Sequence, residues 1–250
     1  MSAITAILYR EGKIRATNVT FVFWDFCYPL FNLLVFGVGL TAAFGAPRST
    51  AGVDYNSFFL AGVLGMASFA IASNSSWSFF LDRDNGIFYE MLTYPMSRAE
   101  YLLGKLVFNV FIAVAQALLT IGVGAWALGI RLRFDLFPVL GVAIVIGTAG
   151  WFFFYTILAL KIRRNDVFNS VTSALYFVFL FFSSMFYPLE PLPAVLRRVA
   201  MANPLTWEID LLRYGSIGLG NPRHLVVEAG AFAVFVAACF AYAVHSLNQE

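Results

Sequence analysis

The best-known nucleotide-binding loop is rich in glycine and ends in lysine followed by a hydroxyl residue. The chain has two Gly-Lys pairs, Gly12-Lys13 and Gly104-Lys105. Neither pair has a second glycine five positions upstream, and neither is followed by serine or threonine. The backbone cradle for the phosphates and the hydroxyl group for magnesium are therefore both missing. If ATP drives this protein, we expect another chain to bind it.

Sets of residues for catalysis inside a membrane are also missing. No Gly-x-Ser-x-Gly or His-Glu-x-x-His sequence occurs, and the two histidines, His224 and His245, flank one apolar segment. Cys27 and Cys239 both lie in apolar stretches, where a thiol behaves as a small hydrophobic group. The sequence therefore predicts no catalytic residue, no metal site and no disulfide.

Asp25 is the clearest charge within an apolar stretch, and such charges are costly in lipid. We favour a structural ion pair with Arg10 or Arg15 over a role in transport. Asn32 lies seven positions later on the same helix face, with Pro29 between them to kink the helix. Asp25 and Asn32 are both kept as candidate pathway or gate residues.

The composition places the chain in a membrane. Of its 250 residues, 60% are hydrophobic and 12% are charged, whereas soluble domains carry about 25% charged residues. A membrane-spanning helix needs about 20 apolar residues. The segments that are long enough cover roughly residues 20–44, 55–80, 101–130, 136–160, 167–187 and 225–247. The net charge of +2 gives no reason to expect a nucleic-acid partner.

The predicted fold class is an all-α membrane protein with six transmembrane helices in one domain over residues 1–250. Residues 1–19 are predicted to form an amphipathic interface helix with apolar and basic faces; the alternative is a solvated basic leader. Residues 188–222 are apolar but rich in proline, which excludes one continuous helix. We predict a re-entrant hairpin there, built from short helices over 193–203 and 206–218.

Lysine and arginine indicate the orientation, because cytoplasmic loops carry more of them. Nine lie on the N-terminal side of the six predicted spans and seven on the other side. We therefore predict that both termini are cytoplasmic. In the hairpin we expect the arginines to pair with the carboxylates: Arg197, Arg198 and Arg213 with Glu190, Glu208 and Asp210.

The most informative loop joins predicted spans two and three, at residues 81–105. Its run 87–92 has helical character and is ended by Pro95. Ser97 followed by Glu100 has the spacing of a capping box for the next helix. An exposed apolar helix usually contacts a partner, although the alternative is that it packs against the membrane. The apolar residues that this helix is predicted to expose are Phe88, Tyr89, Met91 and Leu92.

Polar and aromatic residues inside the predicted spans are further candidates for a pathway. Two polar clusters, at 73–76 and 169–173, could line it or hold helices together, and we favour the second interpretation for any single residue. The aromatic runs at 151–155 and 176–182 are more typical of lipid-facing or packing surfaces. The aromatic residues best placed to line a route are Phe177, Phe181 and Phe182.

The order of residues in the loop 81–105 is distinctive. It runs Arg83, Gly86, Glu90, Pro95, Ser97 and Arg98, and then Tyr101-Leu102-Leu103-Gly104-Lys105 opens the third span. This order resembles the coupling segment of the ABC-2 type permeases, in which the segment contacts an ATP-binding cassette subunit. The resemblance implies an ATPase-coupling segment over residues 81–100, with Arg83, Gly86, Phe88, Glu90, Pro95 and Arg98 as its functional residues.

A second motif lies in residues 183–218. Its order is Ser183, Ser184, Phe186, Pro188, Leu192, Pro193, Asn203, Pro204, Leu205, Thr206, Asp210 and Arg213. It is similar to the C-terminal signature of the same family, in which the fifth span ends in small residues and a Phe-x-Pro turn before two re-entrant helices. Ser184 stands where many relatives have glycine. The positions added to the candidate pathway or gate are Phe186, Pro188, Asn203 and Pro204.

The resemblance implies an exporter of the bacterial plasma membrane. Two copies of this chain, or one copy and a similar partner, would surround a central pathway. Two ATP-binding cassette subunits would lie beneath them and bind ATP and magnesium, so this chain itself would bind no cofactor. The substrate would be an amphiphile, such as a lipo-oligosaccharide, a lipid-linked polysaccharide or a hydrophobic drug, with membrane lipid around it.

Three other functions compete with this interpretation. An ion-coupled carrier usually has acidic or histidine relays in several spans, and only Asp25 is a clear candidate. An intramembrane enzyme needs a catalytic set that the sequence lacks. A purely structural membrane anchor would leave the long loops at 81–105 and 188–222 without a purpose. We therefore favour the exporter.

Overall fold

The fold is seen in a computed structural model that describes residues 3–44, 53–247 and 249. The first two residues of the predicted interface helix lie outside the described residues. Within those residues the chain is helical and contains no strand, which confirms the all-α prediction.

The described residues form eleven α-helices, one π-helical turn and one 3-10 turn. They are α1 (Ala3–Thr17), α2 (Val19–Val22), the π-helical turn (Phe23–Cys27), α3 (Tyr28–Phe44), α4 (Tyr55–Asp84), α5 (Ile87–Met91), α6 (Arg98–Leu128), the 3-10 turn (Phe134–Leu136), α7 (Phe137–Lys161), α8 (Asn165–Phe181), α9 (Ala194–Met201), α10 (Pro204–Ile217) and α11 (Pro222–Leu247). Gly129 and Gly218 end α6 and α10 with φ of 64° and 74°, a left-handed conformation that favours glycine.

Five helical stretches are long and apolar enough to cross a membrane. They are Val19–Gly39, Tyr55–Asp84, Arg98–Leu128, Phe134–Lys161 and Pro222–Leu247. They coincide with five of the six predicted spans. The remaining prediction, 167–187, corresponds to α8, which has 17 residues and ends at Phe181, ahead of the two serines and the Phe-x-Pro turn. The protein is therefore an integral membrane protein with five candidate spans among its described residues.

The central helix of the bundle is α4, which packs against α3, α6, α7 and α10. Small residues permit the closest approaches. A Cβ atom at Gly62 would lie 2.7 Å from the carbonyl oxygen of Met185, and one at Gly65 would lie 2.6 Å from the side chain of Ile209. Glycine at these positions lets neighbouring backbones come together, as is common between membrane helices.

The short helix α10 runs beside the first half of α7. Near its start, Glu208 accepts a hydrogen bond from Trp151, which lies in the middle of α7. At its end, the carbonyl of Ser216 accepts a hydrogen bond from the amide of Arg133, just before α7 begins. The helix therefore covers only about half of the length of a spanning helix.

Gly215 is expected to be intolerant of any larger side chain. A Cβ atom there would lie 2.7 Å from the backbone nitrogen of Leu140 and 2.8 Å from its Cα, and neither atom can move without shifting α7. We expect Gly215→Ala to lower the free energy of unfolding by about 1–3 kcal/mol, the usual effect of overpacking. The measurement is the thermal unfolding midpoint of the purified chain in detergent.

The matched control is Gly141→Ala on α7, because no atom lies within 4 Å of a Cβ at that position. Alanine there should leave the midpoint unchanged or raise it, since alanine favours helix. An equal fall in both variants would contradict the packing described for Gly215.

Candidate functional site

The predicted coupling segment, residues 81–100, runs from the end of α4 through α5 to the start of α6. Gly86 precedes α5 with φ of 77° and reverses the chain. Phe88 is wholly buried, and its ring centroid lies 5.5 Å from that of Phe79 and 5.2 Å from that of Tyr101. The prediction that Phe88 is exposed is therefore wrong. Because a large aromatic side chain is most stable away from water, Phe88 anchors α5 to the bundle.

The opposite face of α5 and the turn after it are open to solvent. Tyr89 is 43% exposed and Tyr94 is 67% exposed. Glu90 and Pro95 are exposed as well. Two aromatic rings, a carboxylate and a proline thus form a small, mixed surface held in place by the buried ring of Phe88. We call these four residues the α5 surface.

The chain then returns into the bundle at the start of α6. Ser97 and Glu100 form the predicted capping box, each side chain bonding to the backbone of the other residue. The guanidinium of Arg98 donates a hydrogen bond of 3.0 Å to the carbonyl of Leu247, at the end of α11. Both contacts hold the second end of the α5 segment in place.

Arg83 does not belong to the exposed surface. Its side chain is buried and donates hydrogen bonds to the carbonyls of Ala159, Leu160 and Ile162. Its guanidinium also lies over the ring of Phe80, 5.3 Å from the centroid. The last carbonyls of a helix have no partner within that helix. Arg83 of α4 therefore caps the end of α7 from inside the bundle.

A buried ionic network joins three helices beneath α5. Lys105 of α6 is wholly buried, and its Nζ lies 2.8 Å from Glu11 of α1 and 3.0 Å from Asp82 of α4. Arg10 binds Asp82 at 2.5 Å, and the hydroxyl of Tyr101 donates to the same carboxylate at 2.5 Å. Buried charges of this kind need partners to be tolerated. We call these five residues the ionic network.

Tyr101 connects the ionic network to α5. Its ring contacts that of Phe88, while its hydroxyl group binds Asp82. A displacement of α5 must therefore move Tyr101 or break one of these contacts. The structure thus contains a continuous line of contacts from α5 through α6 and α4 to α1.

Helix α1 packs on the bundle by a face that the sequence did not predict. Ile7, Glu11 and Arg15 follow at intervals of four and are all buried. Ile7 fits against Gly104, where a Cβ atom would lie 2.9 Å from its side chain. The sequence predicted separate apolar and basic faces, whereas the buried face of α1 includes two charged residues, Glu11 and Arg15, that find partners inside the bundle.

Asp25 is paired with arginine, as we expected. It is buried in the π-helical turn and forms an ion pair with Arg15. The amide of Asn74 on α4 donates a hydrogen bond of 2.9 Å to the same carboxylate. The ion pair is therefore confirmed, and Arg15 rather than Arg10 is the partner. A π-helical turn inside a span is a feature often found at functional sites.

The predicted polar clusters meet at a cavity of about 220 Å³ between the π-helical turn, α4 and α8. Its polar wall holds Ser73, Asn74, Thr172 and Ser173, and its aromatic wall includes Tyr176. Asn74 also binds Asp25. The cavity therefore adjoins the same ion pair that fastens α1.

Three predicted pathway residues form an aromatic stack. It begins on an exposed face of α8 and continues past the end of that helix to Phe186. The rings of Phe177 and Phe181 are 6.0 Å apart, and those of Phe181 and Phe186 are 5.6 Å apart. Phe186 continues the stack to Phe59 of α4 at 5.8 Å. Phe182 is exposed beside them. An apolar, exposed surface of this kind within a membrane helix faces lipid, a partner or an apolar substrate.

The other predicted pathway residues have local roles. Asn32 donates to the carbonyl of Tyr28 in its own helix at 2.9 Å. Asn203 caps the start of α10 and also donates to two carbonyls at the end of α8, at 2.8 and 2.7 Å. Pro204 is the first residue of α10, and Pro188 lines a cavity at the end of the bundle opposite α5.

Glu208 is a buried acidic residue whose environment the sequence did not reveal. Its carboxylate is wholly buried and accepts hydrogen bonds of 2.5 Å from both Ser68 and Trp151. A Cβ atom at Gly147 would overlap this carboxyl group. The predicted arginine partner for Glu208 is wrong, whereas the expected pair of Arg213 with Asp210 is present.

Comparison with known proteins gives a consistent result. The profile of the ABC-2 type transporter family matches residues 2–216. A transport permease, ycf38, of Pyropia yezoensis is 28% identical over 218 residues, which cover 83% of this chain and 74% of the relative. Transport permease ycf38 of Cyanophora paradoxa is 28% identical over 190 residues, covering 74% and 64%. The daunorubicin resistance ABC transporter permease protein DrrB1 of Streptomyces coeruleorubidus is 26% identical over 213 residues, covering 83% and 74%.

Proposed function

The chain belongs to the ABC-2 type transporter family, and we propose that it is the membrane-spanning subunit of an ATP-driven exporter. The observation that carries the proposal is the α5 surface. Phe88 fixes α5 to the bundle while Tyr89, Glu90 and Tyr94 project into solvent. Because the sequence has no phosphate-binding loop of its own, we assign the α5 surface to the docking of a separate ATP-binding cassette subunit.

In this proposal the contacts beneath α5 carry the movement of the ATPase into the membrane. A push on α5 reaches Tyr101 through the ring of Phe88. Tyr101 is bonded to Asp82, which also holds Arg10 of α1. Helix α1 in turn reaches the first span through the pair of Arg15 with Asp25. Closure of the ATPase would thereby tilt α1, α4 and α6 together.

We place α8 in the proposal as a sixth span, with both termini in the cytoplasm of a bacterial cell. Its 17 residues give a helix of about 25 Å, and the non-helical residues 182–187 complete the crossing. Residues 188–222 then form the re-entrant hairpin. Two copies of the chain would face one another across the aromatic stack, with two ATPase subunits binding ATP and magnesium below.

The substrate in this proposal is an amphiphile. The aromatic stack of Phe177, Phe181 and Phe186 offers it an apolar wall, and the cavity beside Asp25 offers polar groups. A mixed lining of this kind suits a molecule with an apolar body and a polar end. The daunorubicin resistance named for one relative is in keeping with such a substrate.

The test is affinity purification of the tagged chain from its native membrane, followed by an ATPase assay. We expect an ATP-binding partner in stoichiometric amount. The double variant Glu90→Lys with Tyr94→Ala should lose most of that partner while keeping the same thermal unfolding midpoint, because both side chains are exposed.

Trp126→Ala is the control for that experiment, since Trp126 is 88% exposed at the other end of α6. It should keep the partner. A wild-type chain that purifies without any ATPase would contradict the proposal, and so would a double variant that retains the partner in full.

An ion-coupled carrier is a second candidate, and the buried carboxyl group of Glu208 is the observation that favours it. Acidic residues at membrane depth are typical of proton relays. The two candidates differ in their energy source. In sealed vesicles without ATP, an imposed proton gradient would drive transport by a carrier, whereas the proposed exporter should stay inactive until ATP is supplied.

A further inference from the structure

Glu208 of α10 is enclosed by its neighbours in the bundle. Its side chain is wholly buried, and Ser68 of α4 and Trp151 of α7 each lie 2.5 Å from one of its two carboxyl oxygens. A Cβ atom at Gly147 of α7 would overlap the same group. One side chain therefore joins α10 to both α4 and α7.

No cation neutralises this carboxyl group. The described residues give Glu208 no salt bridge, and Arg213 on the same helix pairs instead with Asp210. The charged residues of α4 and α7 lie at the ends of those helices near α5, at 82–84 and 161. An ionised Glu208 would thus be an unpaired charge away from water, which is strongly unfavourable. The charged groups on the other elements that contact α10 do not reach Glu208 either, and they are Asp135 in the 3-10 turn, Arg197 and Arg198 on α9, and Arg223, His224, Glu228 and His245 on α11.

Ser68 gives a second reason to place a proton on Glu208. Its hydroxyl oxygen also lies 3.0 Å from the carbonyl oxygen of Gly65, and one hydroxyl has only one proton to donate. As a carboxylate, Glu208 would accept from both Ser68 and Trp151 and would take the serine proton away from Gly65. As a carboxylic acid it donates to Ser68, which then donates to Gly65, while Trp151 donates to the other carboxyl oxygen. The neutral acid therefore gives each of these polar groups a partner.

The packing of α10 couples ionisation of Glu208 to movement of the helix. Ile209, the next residue, is wholly buried and packs against Gly65. At the end of α10, the carbonyl of Ser216 accepts a hydrogen bond from the amide of Arg133. Water can therefore reach the carboxyl group only if α10 separates from α4 and α7. Because a carboxylate without a cation needs water, the ionised form belongs to the separated state.

We propose that Glu208 is a protonated latch that holds α10 against α4 and α7 and releases it when the proton is lost. On opening, the O–H bond of the carboxylic acid breaks and its proton passes to water. The equilibrium constant for opening therefore rises by up to about tenfold for each unit of pH, since opening releases one proton. The inference goes beyond the proposed function and does not depend on it, because the latch lies within this chain alone.

The test is amide hydrogen exchange over residues 204–217 of the purified chain in bilayer discs, since exchange reports local opening. Glu208→Gln is the comparison, because its neutral amide can donate to Ser68 and accept from Trp151 at every pH. Measuring both chains at the same pH cancels the intrinsic pH dependence of exchange. We expect the ratio of wild-type to Glu208→Gln exchange rates to rise by at least about tenfold between pH 6 and pH 8.

Glu228→Gln is the matched control, because Glu228 is also acidic but lines the cavity at the end of the bundle. It should keep the wild-type dependence on pH. Infrared spectroscopy gives a second measurement: the carbonyl band of a carboxylic acid should be present in the wild type at pH 6 and missing from Glu208→Gln. In the wild type it should shrink in step with faster exchange of α10 as the pH rises. A ratio of exchange rates that does not change with pH, or equal acid bands in the wild type and Glu208→Gln, would overturn the inference.

Discussion

Lys105→Met is expected to destabilise the chain by about 3–5 kcal/mol, the usual effect of removing one member of a buried charge set. Glu11 and Asp82 would remain buried with Arg10 as their single arginine partner. Methionine fills similar space, so the loss would come from charge rather than from packing. The measurement is thermal unfolding of the purified chain in detergent, together with the yield recovered from the membrane.

A second substitution shows whether the loss of stability in Lys105→Met comes from unbalanced charge. Adding Glu11→Gln to Lys105→Met removes the excess carboxylate and leaves Arg10 with Asp82, so the double variant should be more stable than Lys105→Met alone. Lys13→Met is the control, because Lys13 is exposed on α1 and its loss should change little. If the double variant is the less stable of the two, the ionic network does not have the charge balance described here.

Arg83→Ala is expected to destabilise the chain by at least about 3 kcal/mol, because each buried carbonyl that loses its partner costs about 1–3 kcal/mol. Three carbonyls at the end of α7 depend on this guanidinium. Limited proteolysis should become faster at the α7 to α8 junction, residues 162–164, in step with a lower unfolding midpoint. Arg83→Lys should lie between the alanine variant and the wild type, since an ammonium group lacks the planar fork.

Arg164→Ala provides the comparison for Arg83. Its side chain is 76% exposed, and its pair with Asp166 is at the surface, where salt bridges contribute about 0–1 kcal/mol. It should therefore unfold close to the wild-type temperature. Equal stability of Arg83→Ala and Arg164→Ala would show that Arg83 does not cap α7.

The long helices could be predicted from the sequence because length and hydropathy alone define a span. Capping and helix-breaking residues, which act over a few positions, were also sufficient to predict where a helix begins or ends. Ser97 and Glu100 form the capping box that their spacing predicts, and Pro95 lies in the turn before it. The end of α8 at Phe181 was not predicted, because residues 182–187 remain as apolar as the helix before them and carry no early helix-breaking residue.

The candidate site was harder to predict because its contacts join residues far apart in the chain. Glu11, Asp82 and Lys105 each look like surface charges in sequence, and they are buried together because α1 packs on α6 beside the end of α4. Phe88 was assigned to the wrong face, since a helix of five residues is too short for its periodicity to show a direction. The sequence predicted an arginine partner for Glu208, whereas the packing of α10 beside α7 brings Glu208 to Trp151.

The central claim is that a separate ATPase docks on the α5 surface. It is tested most directly by placing a photoactivatable cross-linking residue at Tyr94, in intact cells, and identifying what is captured. We expect one ATP-binding cassette protein, with capture lost when the same residue is placed at Trp126, on the far end of α6. Efficient capture of lipid alone at Tyr94, or equal capture of the ATPase at both positions, would contradict the account.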